Sequence, residues 1–412
     1  MSLAQAAPSP SADTATGDHG RARQRFTLML VYAIGLGSMA MAGMLSPLTG
    51  LVAQDFGQSA KAIGWTISLF SLPAAIVSTL GGGLVDRLGP RRILLLAPVL
   101  LALADLGMVM AHGLWLFDLA MVLAGIAYVG VLNGGAAMLM TTLRGPLRAR
   151  GMALWATYAP VGFSAGLLLA AAVAEWVRWR VAFEVHGLVM LLCALGALFL
   201  PRPAAVTRMR TGTGLSALAL LRRGLSSPLV LLIGLASALP NMISYGTSLV
   251  AAGYLARTQG VSLAASAGIV AASKIVAVLT GSAVTGALLT RQVPPLRLYG
   301  LMAAVGAMAQ LLLFQPASPL VLAVAGLMLW IFAFGALSGI CMALLPRVAE
   351  HAGGAGLVSG IVNQFVSVAS FLTPTIYFGL SGWQGYVATA AAGLVLAGLA
   401  LARAAQAGTL EA

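Results

Sequence analysis

Sixty per cent of the 412 residues are apolar and only 8% are charged, against roughly 45–50% and about 25% in a soluble globular protein. So little charge cannot solvate a globule of this size, and the chain's solvent must be lipid. The net charge of +13 does not signal nucleic acid, because Lys and Arg fall in short interruptions between apolar runs and never gather on one soluble face.

In chain order, residues 1–25 are rich in Ala, Ser, Pro and Thr and end in Arg21, Arg23 and Arg25. They read as a disordered cytoplasmic tail without the apolar core or cleavage site of a signal peptide. Twelve runs of about 20 apolar residues follow, each long enough to cross a bilayer. They cover residues 27–50, 62–85, 92–111, 116–140, 152–174, 182–200, 228–255, 264–289, 297–314, 319–345, 356–380 and 384–404. A membrane barrel would alternate over segments of about ten residues, whereas these runs are continuous, so the expected fold is an all-α integral membrane protein with twelve transmembrane helices. Of the 23 basic residues, all but Lys61, Arg178, Arg180, Arg257 and the mid-span Lys274 lie on the N-terminal side. That bias places both termini in the cytoplasm and the protein in the inner membrane. Cys193 and Cys341 lie within apolar runs, with no spacing that indicates a metal or a disulfide.

The longest connection, residues 201–227, follows six spans, which divides the chain into bundles 26–200 and 228–405 joined by a cytoplasmic linker, with a second tail at 406–412. The halves repeat. Gly82-Gly-Leu-Val-Asp86-Arg87 after span 2 recurs as Gly286-Ala-Leu-Leu-Thr290-Arg291 after span 8, 204 residues on. Gly130-Val-Leu-Asn133-Gly134 recurs as Gly335-Ala-Leu-Ser338-Gly339, and Gly151 as Gly356, both 205 residues on. Two pseudo-symmetric bundles that rock about a site between them are the architecture of alternating access. Gly162 and Gly166, with Gly82 and Gly286, would let helices approach closely.

The stretch Gly82-Gly-Leu-Val-Asp86-Arg87-Leu-Gly89-Pro-Arg91-Arg92 resembles the loop between spans 2 and 3 of the major facilitator superfamily, roughly Gly-x-Leu-x-Asp-Arg-x-Gly-x-Arg. Trp179-Arg180-Val-Ala-Phe183 before span 6 resembles a second stretch of that family. The resemblance implies a conformational gate made by Gly82, Asp86, Arg87, Gly89, Arg91 and Arg92. Physically, Asp86 would latch onto the N-terminus of span 11, whose dipole attracts a carboxylate, with Arg144 as a second partner. The plainer alternative is that these charges only anchor topology. Proton-coupled members carry an Arg four residues before a Gly of span 4, where Ile126 stands here. Ala159-Pro160-Val-Gly162-Phe-Ser matches only part of the span 5 stretch of antiporters, which favours export weakly.

Lys274 lies near the bilayer centre, where a charge costs at least about 2.5–3.5 kcal/mol. It reads as an anion site, a proton carrier or half of a buried ion pair. Asp105 is the clear mid-span carboxylate, for coupling or for a bond to a neighbouring helix. Asn133, Tyr158, Asn241, Tyr245, Asn363 and Gln364 occupy spans that line the cavity in the resembled family, with Met39, Met41, Met44 and Trp330 as apolar walls.

Catalysis is not expected, since His19, His112, His186 and His351 all read as lying outside span middles, and no cofactor or metal is expected beyond a proton gradient. The partners expected are the bilayer and a small-molecule substrate, not nucleic acid, for a monomeric protein. The function expected is proton-coupled efflux of a drug-like compound or a secreted metabolite such as a siderophore. Its alternative is proton-coupled uptake of a small organic or inorganic anion bound by Lys274.

Overall fold

The computed structural model describes residues 11–77, 88–176, 178–202, 226–352 and 355–406. Within them lie thirteen helices: α1 Ser11–Asp55, α2 Ala60–Val77, α3 Pro90–Val109, α4 Leu114–Thr142, α5 Gly145–Trp155, α6 Tyr158–Trp176, α7 Arg180–Ala197, α8 Pro228–Gln259, α9 Leu263–Thr290, α10 Pro295–Phe314, α11 Leu320–Ala352, α12 Ala355–Gly379 and α13 Gly382–Ala404. Eleven contain windows long and apolar enough to cross a bilayer, and α6 carries a shorter one, Tyr158–Ala174. The twelve spans therefore map onto α1 to α4, the pair α5 and α6, and α7 to α13.

Two boundaries differ from the sequence reading. Residues 11–25, expected to be disordered, form the first turns of α1. Extending an existing helix needs no new nucleus, and no proline falls between Pro10 and Pro47. The fifth span is broken at Ala156 and Thr157. Pro160 has no N–H to give to the carbonyl of Ala156, and its ring crowds that same carbonyl. Thr157 Oγ1 donates to Leu154 O at 2.8 Å and shares a hydrogen bond with Tyr32 OH at 2.8 Å, which ties the break to α1.

Packing repeats as the sequence does. In the first half α1 packs on α6, α2 on α4, and α3 on α4 and α7; in the second, α8 packs on α12, α9 on α11, and α10 on α11 and α13. These are the same four pairings of corresponding spans. The halves meet along α2 with α12, α6 with α9 and α1 with α8. Glycine makes the closest approaches. A Cβ on Gly162 or Gly166 would collide with the backbone of Leu36 or Ala40 in α1, whereas nothing lies within 4 Å of the Cβ position of Gly286. The expected packing role thus holds for the pair in α6 and not for Gly286.

Among the described residues, the contacts between halves concentrate on the side away from the N-terminus. Ser46 Oγ donates to Leu249 O at 2.7 Å, Ser68 and Thr375 hydroxyls lie 2.9 Å apart, and the Trp65 and Phe371 rings meet edge-on at 5.7 Å. Nearer the middle, Gln364 Nε2 donates to Ala75 O.

Candidate functional site

A cavity of about 690 Å³ lies between the halves, walled by residues of α1, α2, α4, α6, α8, α9, α11 and α12 and reaching Met140 and Ala156 toward the N-terminal side. That volume suits a drug-sized solute. Of the expected residues, Lys274, Asn133, Asn241, Tyr245 and Asn363 line it, as does Met39. Its rings come from Phe70, Tyr128, Phe163, Tyr245 and Phe334. Tyr158, Gln364, Met41, Met44 and Trp330 do not line it. Tyr158 stacks on Trp155 at 4.3 Å, Gln364 bridges to α2, and Met41, Met44 and Trp330 are fully buried in the packed halves. Helical period explains two of the misses: Met41 is two residues from Met39 and Gln364 is one from Asn363, spacings that turn a side chain by about 200° and about 100° to another side of the helix.

Among the described residues, Lys274 is the only charged one on the cavity wall. The α9 helix carries it about three turns in from Leu263. Its ammonium donates to Ser248 Oγ at 2.7 Å, and Ser248 in turn donates to Ser244 O at 2.7 Å. It also sits 3.9 Å from the centroid of Phe163, a residue of the other half. No carboxylate pairs with it among the described residues, so the structural ion pair considered from sequence is not formed there. A cation over an aromatic face gains about 0.5–2 kcal/mol, which makes Phe163 a partner that an incoming solute can replace. Asn241 Nδ2 donates to Ser370 Oγ at 3.1 Å, while Asn133 bonds back to Val129 O in its own helix. The Tyr245 hydroxyl is buried with no partner.

Asp105 lies away from the cavity, packed inside the first half at 1% exposure. Its partner corrects the histidine reading: His186 is six residues into α7, not at a span end, and 3% exposed. His186 Nε2 donates to Gly37 O of α1 at 2.9 Å, so Nδ1 shares one proton with Asp105 Oδ2 at 2.7 Å. Asp105 Oδ1 is left without a partner. The Trp179-Arg180 stretch closes the same end of the bundle. Arg180 pairs with Asp55 at 2.7 Å and donates to Val109 O and Ala111 O at 3.1 and 2.8 Å, capping the end of α3.

At the gate, Gly82, Asp86 and Arg87 lie outside the described residues. Gly89 precedes α3 at φ 81°, a left-handed conformation that favours glycine. Arg91 donates to Leu198 O and Leu200 O, both at 2.8 Å, and so fastens the end of α7. Arg92 and Arg144 are exposed, and the Arg144 backbone N–H donates to Gln24 Oε1 at 3.0 Å.

Among curated proteins, a stretch of 193 residues is 28% identical to the methyl viologen resistance protein SmvA of Salmonella typhimurium, covering 44% of this chain and 37% of that protein. The puromycin resistance protein pur8 of Streptomyces alboniger is 28% identical over 152 residues, and the multidrug efflux pump LfrA of Mycolicibacterium smegmatis is 29% identical over 160. Both matches cover 37% of this chain and 30% of the relative. The matched stretches thus span 30–37% of these relatives' length. Among solved structures, a bacterial homolog of the human lysosomal transporter Spinster superposes with a TM-score of 0.73 at 16% identity, over 93% of this chain and 96% of that one. The nucleoside transporter NupG gives 0.73 at 14%, over 92% and 99%. Residues 28–374 match the Major Facilitator Superfamily, and with this fold and this cavity between two repeated bundles, the chain belongs to that superfamily of transporters.

Proposed function

We propose that the protein exports uncharged or cationic aromatic solutes in exchange for protons, with Lys274 as the residue at which proton and cargo exclude each other. The observation that carries this is the Lys274 ammonium lying 3.9 Å from the Phe163 ring as the sole charge among the described residues of the cavity wall. Protonated, Lys274 occupies the aromatic face and repels a cationic cargo; deprotonated, it releases both constraints. Exclusive occupancy of that kind is what antiport requires. The proton enters on Lys274 from the far side as cargo leaves, and its loss on the N-terminal side readies the cavity for the next solute. The names of the partial relatives, concerned with methyl viologen, puromycin and multidrug efflux, support export. The basic loops support a cytoplasmic N-terminal side, toward which the cavity extends.

The same lone cation favours a second reading. An anionic cargo binds best when Lys274 is protonated, so proton and cargo travel together, which is uptake by symport. The charge of the cargo therefore sets the direction of coupling.

Two substitutions separate the readings in proteoliposomes with ethidium and puromycin as probes. In antiport, Lys274→Arg holds a permanent cation over Phe163 and abolishes probe binding, while Lys274→Ala keeps binding but no longer couples it to proton movement. In anion symport, neither cationic probe binds the wild type and benzoate does, with Lys274→Arg retaining that binding. Unchanged ethidium export by Lys274→Arg would remove Lys274 from the mechanism.

A further inference from the structure

A second cavity, of about 590 Å³, opens where α9, α10, α11 and α13 end on the N-terminal side. Its charged residues among those described are Arg297 and Arg347, beside Gln292, and its apolar wall includes Ile340, Leu344 and Leu401. The internal repeat explains both the space and the charge. In the first half, Arg91 reaches from the start of α3 to the last carbonyls of α7. The helix starts Pro90 and Pro295 align at an offset of 205, so the equivalent of Arg91 is Leu296, whose side chain has no donor for the last carbonyls of α13, and the corresponding space stays open. In the same loop Asp86 is replaced by Thr290 while Arg291 and Arg297 remain. The second copy has lost its carboxylate and kept its bases. Arg291 and Arg297 are exposed and pair with no carboxylate among the described residues. The chain turns into the cavity through Gln292 at φ 61°, the only non-glycine residue with positive φ among those described. Such a conformation costs about 1–2 kcal/mol.

We propose that this cavity binds the headgroup of an anionic phospholipid, the phosphate lying between Arg297 and Arg347 and an acyl chain running along Ile340, Leu344 and Leu401. The chemistry requires both parts. Guanidinium groups match phosphate oxygens in number and plane, and the apolar wall begins at the helix ends, where headgroups give way to hydrocarbon. The site is separate from the transport cavity and shares no lining residue with it.

The test is lipid retention by the intact protein in detergent, read by native mass spectrometry after exposure to dioleoylphosphatidylglycerol or dioleoylphosphatidylcholine. Phosphatidylglycerol should remain bound and phosphatidylcholine should not. The double variant Arg297→Ala/Arg347→Ala should lower phosphatidylglycerol retention by about tenfold or more, and millimolar inorganic phosphate should not displace the lipid. Equal retention of the two lipids, or displacement by phosphate alone, overturns the proposal. So does wild-type retention by the double variant. Thermal unfolding of the wild type gives a second readout that depends on no variant: phosphatidylglycerol should raise the midpoint and phosphatidylcholine should leave it unchanged, and an equal shift also overturns the proposal.

Discussion

Asp105 and His186 are placed where an ionisable pair costs most, buried within one bundle and out of reach of the cavity. Their bond fixes α3 to α7, and the second His186 nitrogen adds α1 through the Gly37 carbonyl. Holding three helices is a positioning task, so the partners are worth more together than apart. Asp105→Leu removes one partner and leaves the other buried; it should destabilise the protein by about 3–5 kcal/mol. Asp105→Asn keeps a hydrogen bond and should cost only about 1 kcal/mol, with transport retained in the folded protein. Thermal unfolding in detergent checks the order, and equal losses would contradict it. The sequence displayed Asp105 as a polar outlier but hid its partner, because His186 seemed to lie at a span boundary. One signal was available: α3 runs away from the N-terminal side and α7 runs back, so a residue four before the end of α3 and one six after the start of α7 lie at similar depth. Lys274 needed no such inference. A lone charge in the middle of a 28-residue apolar helix is visible in any reading, although its ring partner in the other half is not.

Glycine spacing decides how closely helices approach, but only where another backbone lies opposite. The α1 and α6 axes come together through Gly43 on one side and Gly162 and Gly166 on the other, each against backbone of the partner helix. Gly166→Val should destabilise by about 1–3 kcal/mol from overpacking. Gly286→Ala, with open space around it, should be neutral or gain about 0.5–1 kcal/mol from reduced freedom of the unfolded chain. Comparing the two by thermal unfolding separates contact from composition, and a loss at Gly286→Ala matching that at Gly166→Val would show that glycine content alone sets the cost. Spacing made the pair in α6 legible in the sequence, and the same spacing misjudged Gly286, because a repeated motif need not keep its neighbours. Pro160 is similar in kind. Its effect one turn upstream, dividing the fifth span into α5 and α6, follows from ring geometry, yet hydropathy alone runs straight through it.

At the scale of the molecule, the repeat explains why two bundles can exchange partners: the same four pairings hold each half together, while three seams join them. Offsets of 204 and 205 residues exposed that duplication in the sequence. Which end of the seams is shut was not legible, since one sequence must serve both arrangements. In this structure the described contacts close the side away from the N-terminus, through Ser46 with Leu249, Ser68 with Thr375 and Trp65 with Phe371. For alternating access this seal has to open in every cycle. Joining α2 to α12 across it should therefore hold the cavity accessible from the N-terminal side alone. With Cys193 and Cys341 replaced by Ala, the pair Trp65→Cys and Phe371→Cys is treated with a short bis-maleimide. The linked protein should still bind ethidium, read by its fluorescence, because the mouth of the cavity toward the N-terminal side does not have to move. Transport should fall to background in the linked protein and persist in the same variant left unlinked, which isolates the effect of the link from that of the substitutions. Sustained transport after complete linking would mean that the far-side seal does not part, and that cargo leaves by another route.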